Sequence, residues 1–387
     1  MKKIAFVLSL GLGIALSNLS LPAVGSVPLR KVEIDQLGKL GIDKQLWGVN
    51  GEPADRKALL QAIDRSLRYL NTQSAAKAYR DYPVSGVTRD RVRRSLKRFR
   101  ELLVSSESPA ELQAAVEREF ALYQAAGQDD KGTVHFTGYF EPVYAASQVP
   151  TEEFRYPLYR LPPNFEQWSK PHPTRAELVG KDGLLGKESP IAGNELVWLR
   201  DRFKAFLVHV QGSATLRLRD GSTMTVGYAG KTDYPYTSIG GELVEDGKLP
   251  REGLTLQTLI DYFRDHPSEL DQYLPRNQSF VFFREIHKAH PIGSLNLPVT
   301  AERSIATDKS LMPPGALALI RTQIPDFDQA GELETPRVSR YVLDQDTGSA
   351  IEGAGRVDIF MGTGSQAGDR AGVIDWNGKL YYLLLKK

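Results

Sequence analysis

Apolar positions at helical spacing mark the region between residues 54 and 124. Three sets recur every three or four residues: Leu60, Ile63, Leu67 and Leu70; Val92, Leu96, Phe99 and Leu103; and Leu112, Val116, Phe120 and Tyr123. This period predicts three amphipathic helices. Thr88 is placed to cap the second helix, and Ser108, Pro109 and Glu111 predict a capping box with proline at the first position of the third.

From Thr133 onward the pattern changes to short apolar runs separated by Gly, Pro and Asp. Such runs, rich in Val, Phe, Tyr and Thr, are typical of strands. Asp220-Gly221 predicts a hairpin between two of them, and one helix is expected over Thr255–Arg264. The predicted strands are Thr133–Tyr139, Ala205–Val210, Thr215–Leu218, Met224–Tyr228, Ser279–Arg284, Leu317–Arg321, Arg340–Leu343, Val357–Met361 and Leu380–Leu385.

The first 25 residues have the pattern of a secretory signal peptide. Two lysines precede an apolar stretch from Ile4 to about Leu21, and small residues then precede Ser26. A retained anchor helix is the alternative, because the apolar stretch approaches the length of a membrane span. The sequence contains no cysteine, which excludes disulfides, thiolate metal sites and lipidation on an N-terminal cysteine. We therefore expect a periplasmic protein that is not lipidated.

Composition and charge exclude several function classes. The chain is 41% hydrophobic and 25% charged, which is typical of globular proteins, and its net charge of +2 does not predict a nucleic-acid partner. His287 and His290 have a spacing that suits a metal, but no further ligand joins them in a known pattern, so we expect no metal site. Ser213 lacks the second glycine of a nucleophile elbow and is interpreted as a polar loop residue. No cofactor is expected.

Three aspartates in the C-terminal third carry the strongest chemical signal. Asp308 precedes a proline turn, Asp346 lies in a glycine-rich turn, and Asp358 lies inside the apolar run Val357–Gly362, on the same strand face as Phe360. Burying a carboxylate there is costly, so the pKa of Asp358 should rise, and more so beside another carboxylate. This favours a proton donor near neutral pH. A water-facing edge strand or a turn cap is the alternative.

These three segments resemble the three-aspartate (3D) domain of the membrane-bound lytic transglycosylase A (MltA) family. Upstream blocks match the family in the same order: Thr137–Pro142, Val210–Ser213, Tyr228–Lys231, Tyr236–Gly240 and Asn277–Phe283. The resemblance covers roughly residues 80–387, and the ordered set is specific although each block alone is weak. The chain departs from the family by Ser349 and Glu352, where glycine and lysine are usual, and by one extra residue between Asp346 and Asp358.

The resemblance implies a mainly β fold with N-terminal helices. The family has a double-psi β-barrel domain with a second β-barrel domain inserted in it, and the glycan lies in a groove between them. The implied boundaries are a signal peptide at 1–25, helices and the double-psi β-barrel catalytic domain at 26–145 plus 277–387, and the inserted β-barrel domain at 146–276.

The resemblance also implies an activity, that of a lytic transglycosylase, a carbon–oxygen lyase acting on polysaccharides. Such an enzyme cleaves the β-1,4 bond between N-acetylmuramic acid and N-acetylglucosamine in peptidoglycan and leaves a 1,6-anhydromuramoyl end. The family's catalytic aspartate maps to Asp358, with Asp308 and Asp346 as its companions. Candidate glycan-binding residues in the matching blocks, each of which could instead serve packing or a turn, are Tyr139, Gln211, Ser213, Tyr228, Lys231 and Tyr236.

The expected partner is the peptidoglycan glycan strand, bound by a monomer. A loose association with the cell wall or the outer membrane stays open. Two rival functions also stay open: an expansin-like module that binds polysaccharide without cleaving it, and a hydrolytic muramidase. A metal-dependent peptidase or amidase is disfavoured because no cluster of metal ligands is evident.

Overall fold

The computed structural model describes residues 27–33, 41–48, 54–287, 291–348 and 350–386. The predicted signal peptide and His290 lie outside these residues. Within them, no helix is both long enough and apolar enough to cross a membrane.

Helices dominate the N-terminal part and also occur between later strands. The α-helices are α1 (Arg56–Tyr69), α2 (Gln73–Ala78), α3 (Arg89–Ser105), α4 (Pro109–Glu119), α5 (Arg175–Val179), α6 (Arg202–Gln211), α7 (Ile239–Glu245), α8 (Leu256–Asp265), α9 (Leu270–Tyr273) and α10 (Ser365–Ala371). Short 3₁₀ helices lie at Lys44–Trp47, Phe165–Gln167, Gly186–Glu188, Pro267–Glu269 and Leu274–Arg276.

The predicted caps of α3 and α4 are present. Thr88 Oγ1 accepts a hydrogen bond from Arg91 N at 3.2 Å, and Ser108 Oγ accepts one from Glu111 N at 3.2 Å. The capping box of α4 is incomplete, because the Glu111 carboxylate accepts from Glu107 N at 2.8 Å instead of from the cap residue. The apolar stripe of α3 is buried as predicted.

Two element assignments were wrong: the end of one predicted helix is a strand, and one predicted strand is part of a helix. The third helix ends at Glu119, and Phe120–Ala125 forms a strand that pairs with strands from both ends of the chain. Ala205–Val210 lies inside α6, which starts behind Asp201, whose carboxylate accepts from Lys204 N at 2.9 Å, and ends at Gly212 in the left-handed conformation. The later part of the chain also holds more helices than the single one predicted at α8.

Strands lie before, between and after these helices. They are β1 (Leu29–Val32), β2 (Phe120–Ala125), β3 (Val134–Glu141), β4 (Val143–Ser147), β5 (Tyr156–Tyr159), β6 (Glu195–Leu199), β7 (Ser213–Leu218), β8 (Thr223–Lys231), β9 (Val281–Ile286), β10 (Ser304–Ala306), β11 (Leu317–Gln323), β12 (Asp326–Phe327), β13 (Leu333–Glu334), β14 (Arg337–Asp346), β15 (Arg356–Thr363) and β16 (Asp375–Leu385).

The larger sheet has eight strands in the order β1-β2-β16-β11-β14-β10-β15-β3. Strand β3 also pairs with β16, so the pairings of six strands return to their starting point. The strands of this ring, in order, are β3, β16, β11, β14, β10 and β15. We call them the six-strand ring.

The second sheet also has six strands, in the order β5-β6-β4-β7-β8-β9. The predicted Asp220-Gly221 hairpin joins β7 to β8, and Gly221 has a φ of 85°, which a turn of this kind requires. An isolated parallel bridge between Arg160, which follows β5, and Phe283 of β9 links the two edge regions of this sheet. Its core is formed by apolar residues of these strands and of α6.

The described chain divides into two compact units. One comprises Tyr139–Pro291 and Thr363–Val373 and contains the second sheet. The other comprises the described residues within 27–138, 292–362 and 374–386 and contains most of the six-strand ring together with α1 to α4.

Candidate functional site

Asp358 lies on an interior strand of the larger sheet. Strand β15 is flanked by β10 and β3, and Ala306 of β10 is the register partner of Asp358. The neighbouring Val357 and Ile359 are completely buried on the opposite face, while Asp358 itself is half-buried. The alternative of a water-facing edge strand is therefore excluded.

The surroundings of Asp358 raise its pKa to about 6. The largest cause is loss of water around the carboxyl group, which disfavours the anion. The positive charge of Arg356 and a hydrogen bond from Thr137 Oγ1 to Asp358 Oδ1 at 2.9 Å act in the opposite direction. The negative charge of Asp346 raises the pKa further. This carboxyl group can therefore both hold and release a proton near neutral pH.

A series of polar contacts runs from Asp358 through Thr137 and Arg356 to His135, near the start of β3. Arg356 Nη2 donates to Thr137 Oγ1 at 3.3 Å, and Arg356 Nη1 lies 2.9 Å from His135 Nδ1. His135 Nε2 contacts the carboxylate of Asp375. The sequence reasoning missed Thr137, His135 and Asp375 because they lie on strands other than that of Asp358, and it did not single out Arg356 on the same strand.

Asp308 and Asp346 are half-buried, and both accept hydrogen bonds from the backbone. Asp308 Oδ1 accepts from Ser310 N at 2.9 Å, and its Oδ2 accepts from Gly353 N at 2.8 Å. Asp346 Oδ1 accepts from Ser294 N at 2.8 Å. Each carboxylate therefore orders the turn around it, and the charge of Asp346 also reaches Asp358.

A buried polar network lies directly beside these turns. Asp344 is completely buried and accepts hydrogen bonds from Thr307 Oγ1 at 2.8 Å and from Tyr382 OH at 2.5 Å. Lys309 forms an ion pair with Asp344 and also donates to the backbone carbonyl of Asp346. Lys309 thus connects the turn that contains Asp308 to the end of β14. The sequence analysis did not single out Asp344. The signal that could have identified it is an aspartate two residues before Asp346, at the end of an apolar run.

The six candidate glycan-binding residues lie in the unit that contains the second sheet. Tyr228 on β8 is 50% exposed. Lys231 Nζ donates to Tyr234 O at 3.4 Å. Gln211 Oε1 accepts from Phe140 N at 3.1 Å, so this amide supports the backbone at the end of β3.

The remaining candidates lie in or beside strands. Ser213 is the first residue of β7 and pairs with Gly227, so the prediction that it lies in a loop was wrong. Tyr139 lies in β3, and Tyr236 lies in the segment before α7; both are half-buried. Within the described residues, no group of three or more His, Cys, Asp or Glu residues is arranged to hold a metal ion.

Comparison with known families identifies the chain. Residues 135–284 match the family model of the MltA specific insert domain, and residues 303–384 match the 3D domain. The membrane-bound lytic murein transglycosylase A of Escherichia coli (strain K12) is 34% identical over 271 residues, which cover 69% of this chain and 70% of that protein. The chain belongs to the MltA family.

Solved structures of MltA proteins agree with this assignment. The crystal structure of a membrane-bound lytic murein transglycosylase from Agrobacterium tumefaciens has a TM-score of 0.70 at 28% identity, covering 92% of this chain and 97% of that one. Escherichia coli MltA with bound chitohexaose has a TM-score of 0.68 at 27% identity, covering 90% and 94%. The MltA resemblance drawn from the ordered sequence blocks is therefore confirmed.

Both halves of the MltA match contain residues of the site. The 3D match includes the three aspartates, Arg356 and Asp375, while the insert-domain match begins at His135 and includes Thr137. Of the positions that depart from the usual MltA pattern, Glu352 is exposed and Ser349 lies outside the described residues.

Proposed function

We propose that this MltA-family chain is a peptidoglycan lytic transglycosylase. It cleaves the β-1,4 bond between N-acetylmuramic acid and N-acetylglucosamine and leaves a 1,6-anhydromuramoyl end. Asp358 is the single acid and base, and Asp308 and Asp346 order the turns around it. The named activity of its relatives supports the reaction class, and the chitohexaose bound to Escherichia coli MltA supports a glycan strand as the substrate.

The first step is proton transfer from Asp358 to the bridging oxygen. The bond between this oxygen and C1 of the muramoyl sugar breaks, and the N-acetylglucosamine residue leaves with the new hydroxyl group. Positive charge then develops at C1, as in other glycosidic cleavages. The Asp358 carboxyl group is suited to this step, because its raised pKa keeps a proton available near pH 6.

The second step closes the anhydro ring. The C6 hydroxyl oxygen of the same sugar bonds to C1, and its proton passes to the Asp358 carboxylate. No water is consumed, and Asp358 returns to its protonated form. One carboxyl group is sufficient because the nucleophile belongs to the sugar itself, and an intramolecular attack avoids much of the entropic cost of bringing two reactants together.

The observation that carries this proposal is the half-buried Asp358 carboxyl group, with its pKa near 6 and its hydrogen bond from Thr137. We predict that Asp358→Asn lowers the cleavage rate of isolated glycan strands by at least about 10²–10⁴-fold, the usual contribution of general acid–base catalysis. Binding of glycan should persist, because the amide has nearly the same shape. Both are measured on purified protein, by product release and by co-sedimentation with peptidoglycan.

Asp90→Asn is the matched control for this experiment. Asp90 is an exposed aspartate on α3 that pairs with the neighbouring Arg93 and Arg94, and its replacement should leave the cleavage rate unchanged. Near-normal turnover by Asp358→Asn would remove this residue from the mechanism.

We infer further that the six-strand ring is the double-psi β-barrel of the family and that the second sheet is the inserted barrel. Support comes from the pairings that return to β3 and from the order of the chain, since β4 to β9 all belong to the second sheet. Because the second sheet begins with β4 (Val143–Ser147) and ends with β9 (Val281–Ile286), the inserted domain in this proposal extends beyond the predicted 146–276 at both ends, to about 143–286. The periplasmic location is part of the same proposal. The six candidate residues of the insert-domain match are its proposed glycan contacts.

A further inference from the structure

The hydrogen bonds around His135 determine which of its ring nitrogens carries the proton. Arginine side chains only donate hydrogen bonds, so the contact of 2.9 Å from Arg356 Nη1 requires an unprotonated Nδ1 on His135. The proton of a neutral imidazole must then be on Nε2, which contacts the Asp375 carboxylate. The arrangement therefore selects the neutral ring with its proton directed at Asp375.

The same reasoning gives a direction to the hydrogen bonds of Thr137. Its hydroxyl oxygen accepts from Arg356 Nη2 at 3.3 Å, and its single hydrogen is directed to Asp358 Oδ1 at 2.9 Å. The cation of Arg356 thus acts on Asp358 through an intervening hydroxyl group, and the two side chains form no direct ion pair in the described structure.

A restraint must keep the Arg356 guanidinium from forming a direct ion pair with Asp358. Arg356 and Asp358 are two residues apart on β15, so their side chains leave the same face of the strand. A carboxylate is a stronger acceptor for a guanidinium group than an imidazole or a hydroxyl. In the described part of the chain, Arg356 Nε is buried without a hydrogen-bond partner, so the guanidinium is held only through Nη1 and Nη2. His135 supplies one of these two anchors.

We propose that His135, backed by Asp375, is a positioning residue that holds Arg356 away from a direct ion pair with Asp358 and so keeps Asp358 able to carry its catalytic proton. This inference rests on the proposed function, because it takes Asp358 as the acid.

Four groups determine the charge that Asp358 experiences. Arg356 lies on the same strand, His135 comes from β3, Asp346 ends β14, and Asp375 of β16 acts through His135. Arg356 and, more weakly, His135 lower the pKa of Asp358, and Asp346 raises it. A guanidinium in direct contact would lower the pKa of a carboxyl group by about 1–3 units, which is sufficient to deprotonate Asp358 near neutral pH.

The test compares the pH dependence of glycan cleavage in four variants. His135→Phe keeps an aromatic ring but has no hydrogen-bond acceptor, so Arg356 should pair directly with Asp358. The pH above which kcat falls should then be lower by about 1–3 pH units, and KM should be nearly unchanged. His135→Gln retains one acceptor and one donor and should restore most of the wild-type profile. Arg356→Met removes the cation and should move the limb to higher pH.

The double variant His135→Phe/Arg356→Met separates positioning from general damage. If His135 acts through Arg356, this variant should have the pH profile of Arg356→Met alone. An unshifted alkaline limb in His135→Phe, a shift to higher pH, or additive effects in the double variant would overturn the inference.

A second measurement needs neither activity nor a folded variant. Nitrogen NMR of the wild-type protein at neutral pH should show the His135 proton on Nε2, and a proton on Nδ1 would contradict the inference. The Asp358→Asn variant separates the two proposals. If Asp358→Asn stays active, the proposed function fails. If Asp358→Asn is inactive and His135→Phe has the same alkaline limb of kcat as the wild type, only the role of His135 fails.

Discussion

The Asp358 carboxyl group destabilises the folded protein at the pH where it is ionised. Its folded-state pKa of about 6 lies above the ordinary value of 3.8. A carboxyl group with a raised pKa makes its full contribution to stability below the unfolded-state pKa, and this contribution is lost as the pH rises through about 6. A shift of about two units corresponds to a cost of at most about 3 kcal/mol above pH 6.

Replacing this group should therefore stabilise the protein in a pH-dependent way. We predict that Asp358→Asn raises the free energy of unfolding by about 1–3 kcal/mol at pH 8, because the amide has no charge to bury. At pH 4 the gain should be much smaller, since the wild-type carboxyl group is then mostly protonated. Urea unfolding at the two pH values measures the difference, and a variant less stable than wild type at pH 8 would refute the account of the pKa.

The same pKa predicts the pH dependence of the reaction. Only the protonated carboxyl group can donate to the bridging oxygen, so the cleavage rate should fall as the pH rises above about 6. Initial rates on purified glycan strands between pH 4 and pH 9 test this expectation. A rate that climbs between pH 6 and pH 8 would show that another group is the acid.

At the residue scale, the sequence predicted that Asp358 lies within an apolar strand, but it did not predict the side chains around it. The aspartate was recognisable because a charged residue interrupts an apolar strand. Thr137 and His135 lie in β3, more than 200 residues earlier in the sequence. The local pattern there predicts a strand and indicates nothing about a catalytic site. Their contact with Asp358 and Arg356 arises from the pairing of distant strands, which no local pattern encodes.

Among the elements, the N-terminal segments support the six-strand ring through one buried arginine. Arg303 lies just before β10 and is completely buried. Its Nη2 donates to Asp55 Oδ1 at 2.6 Å, and its Nη1 donates to Asp43 Oδ2 at 2.5 Å and to Tyr341 O at 2.8 Å. The ion pair thus joins the segments before α1 to the ring.

Breaking this ion pair should be costly. We predict that Arg303→Met lowers the free energy of unfolding by about 3–5 kcal/mol, because Asp43 is left buried without its counter-charge. Arg93→Met is the control, since Arg93 forms an exposed pair with Asp90 and should change stability by less than about 0.5 kcal/mol. Equal effects of the two substitutions in urea unfolding would show that the buried pair contributes no more than a surface pair.

The two misassigned elements have different physical reasons. Ala205–Val210 is apolar on nearly every side, and such a short run does not distinguish a buried helix from a buried strand. The missed signals were Asp201 as the N-cap and Gly212 as the C-cap. Phe120–Ala125 continued the helical period of α4, but pairing with β1 and β16 determined its conformation.

For the whole molecule, the chain order of the strands is the feature that local patterns could not predict. The chain leaves the six-strand ring after β3, forms the second sheet, and returns to the ring at β10. Ring closure depends on β16, the last strand, pairing with both β3 and β11. Only the resemblance to the MltA family indicated this organisation, because ordered blocks carry topology that composition and periodicity do not.

The chemistry proposed for the whole protein differs from hydrolysis by one water molecule, and this difference can be measured directly. Intact peptidoglycan is digested by the wild-type protein in water enriched in heavy oxygen, and the released fragments are analysed by mass spectrometry. The account predicts 1,6-anhydromuramoyl ends that are lighter by one water than hydrolysed ends and contain no heavy oxygen. Reducing ends that carry the heavy label would contradict it.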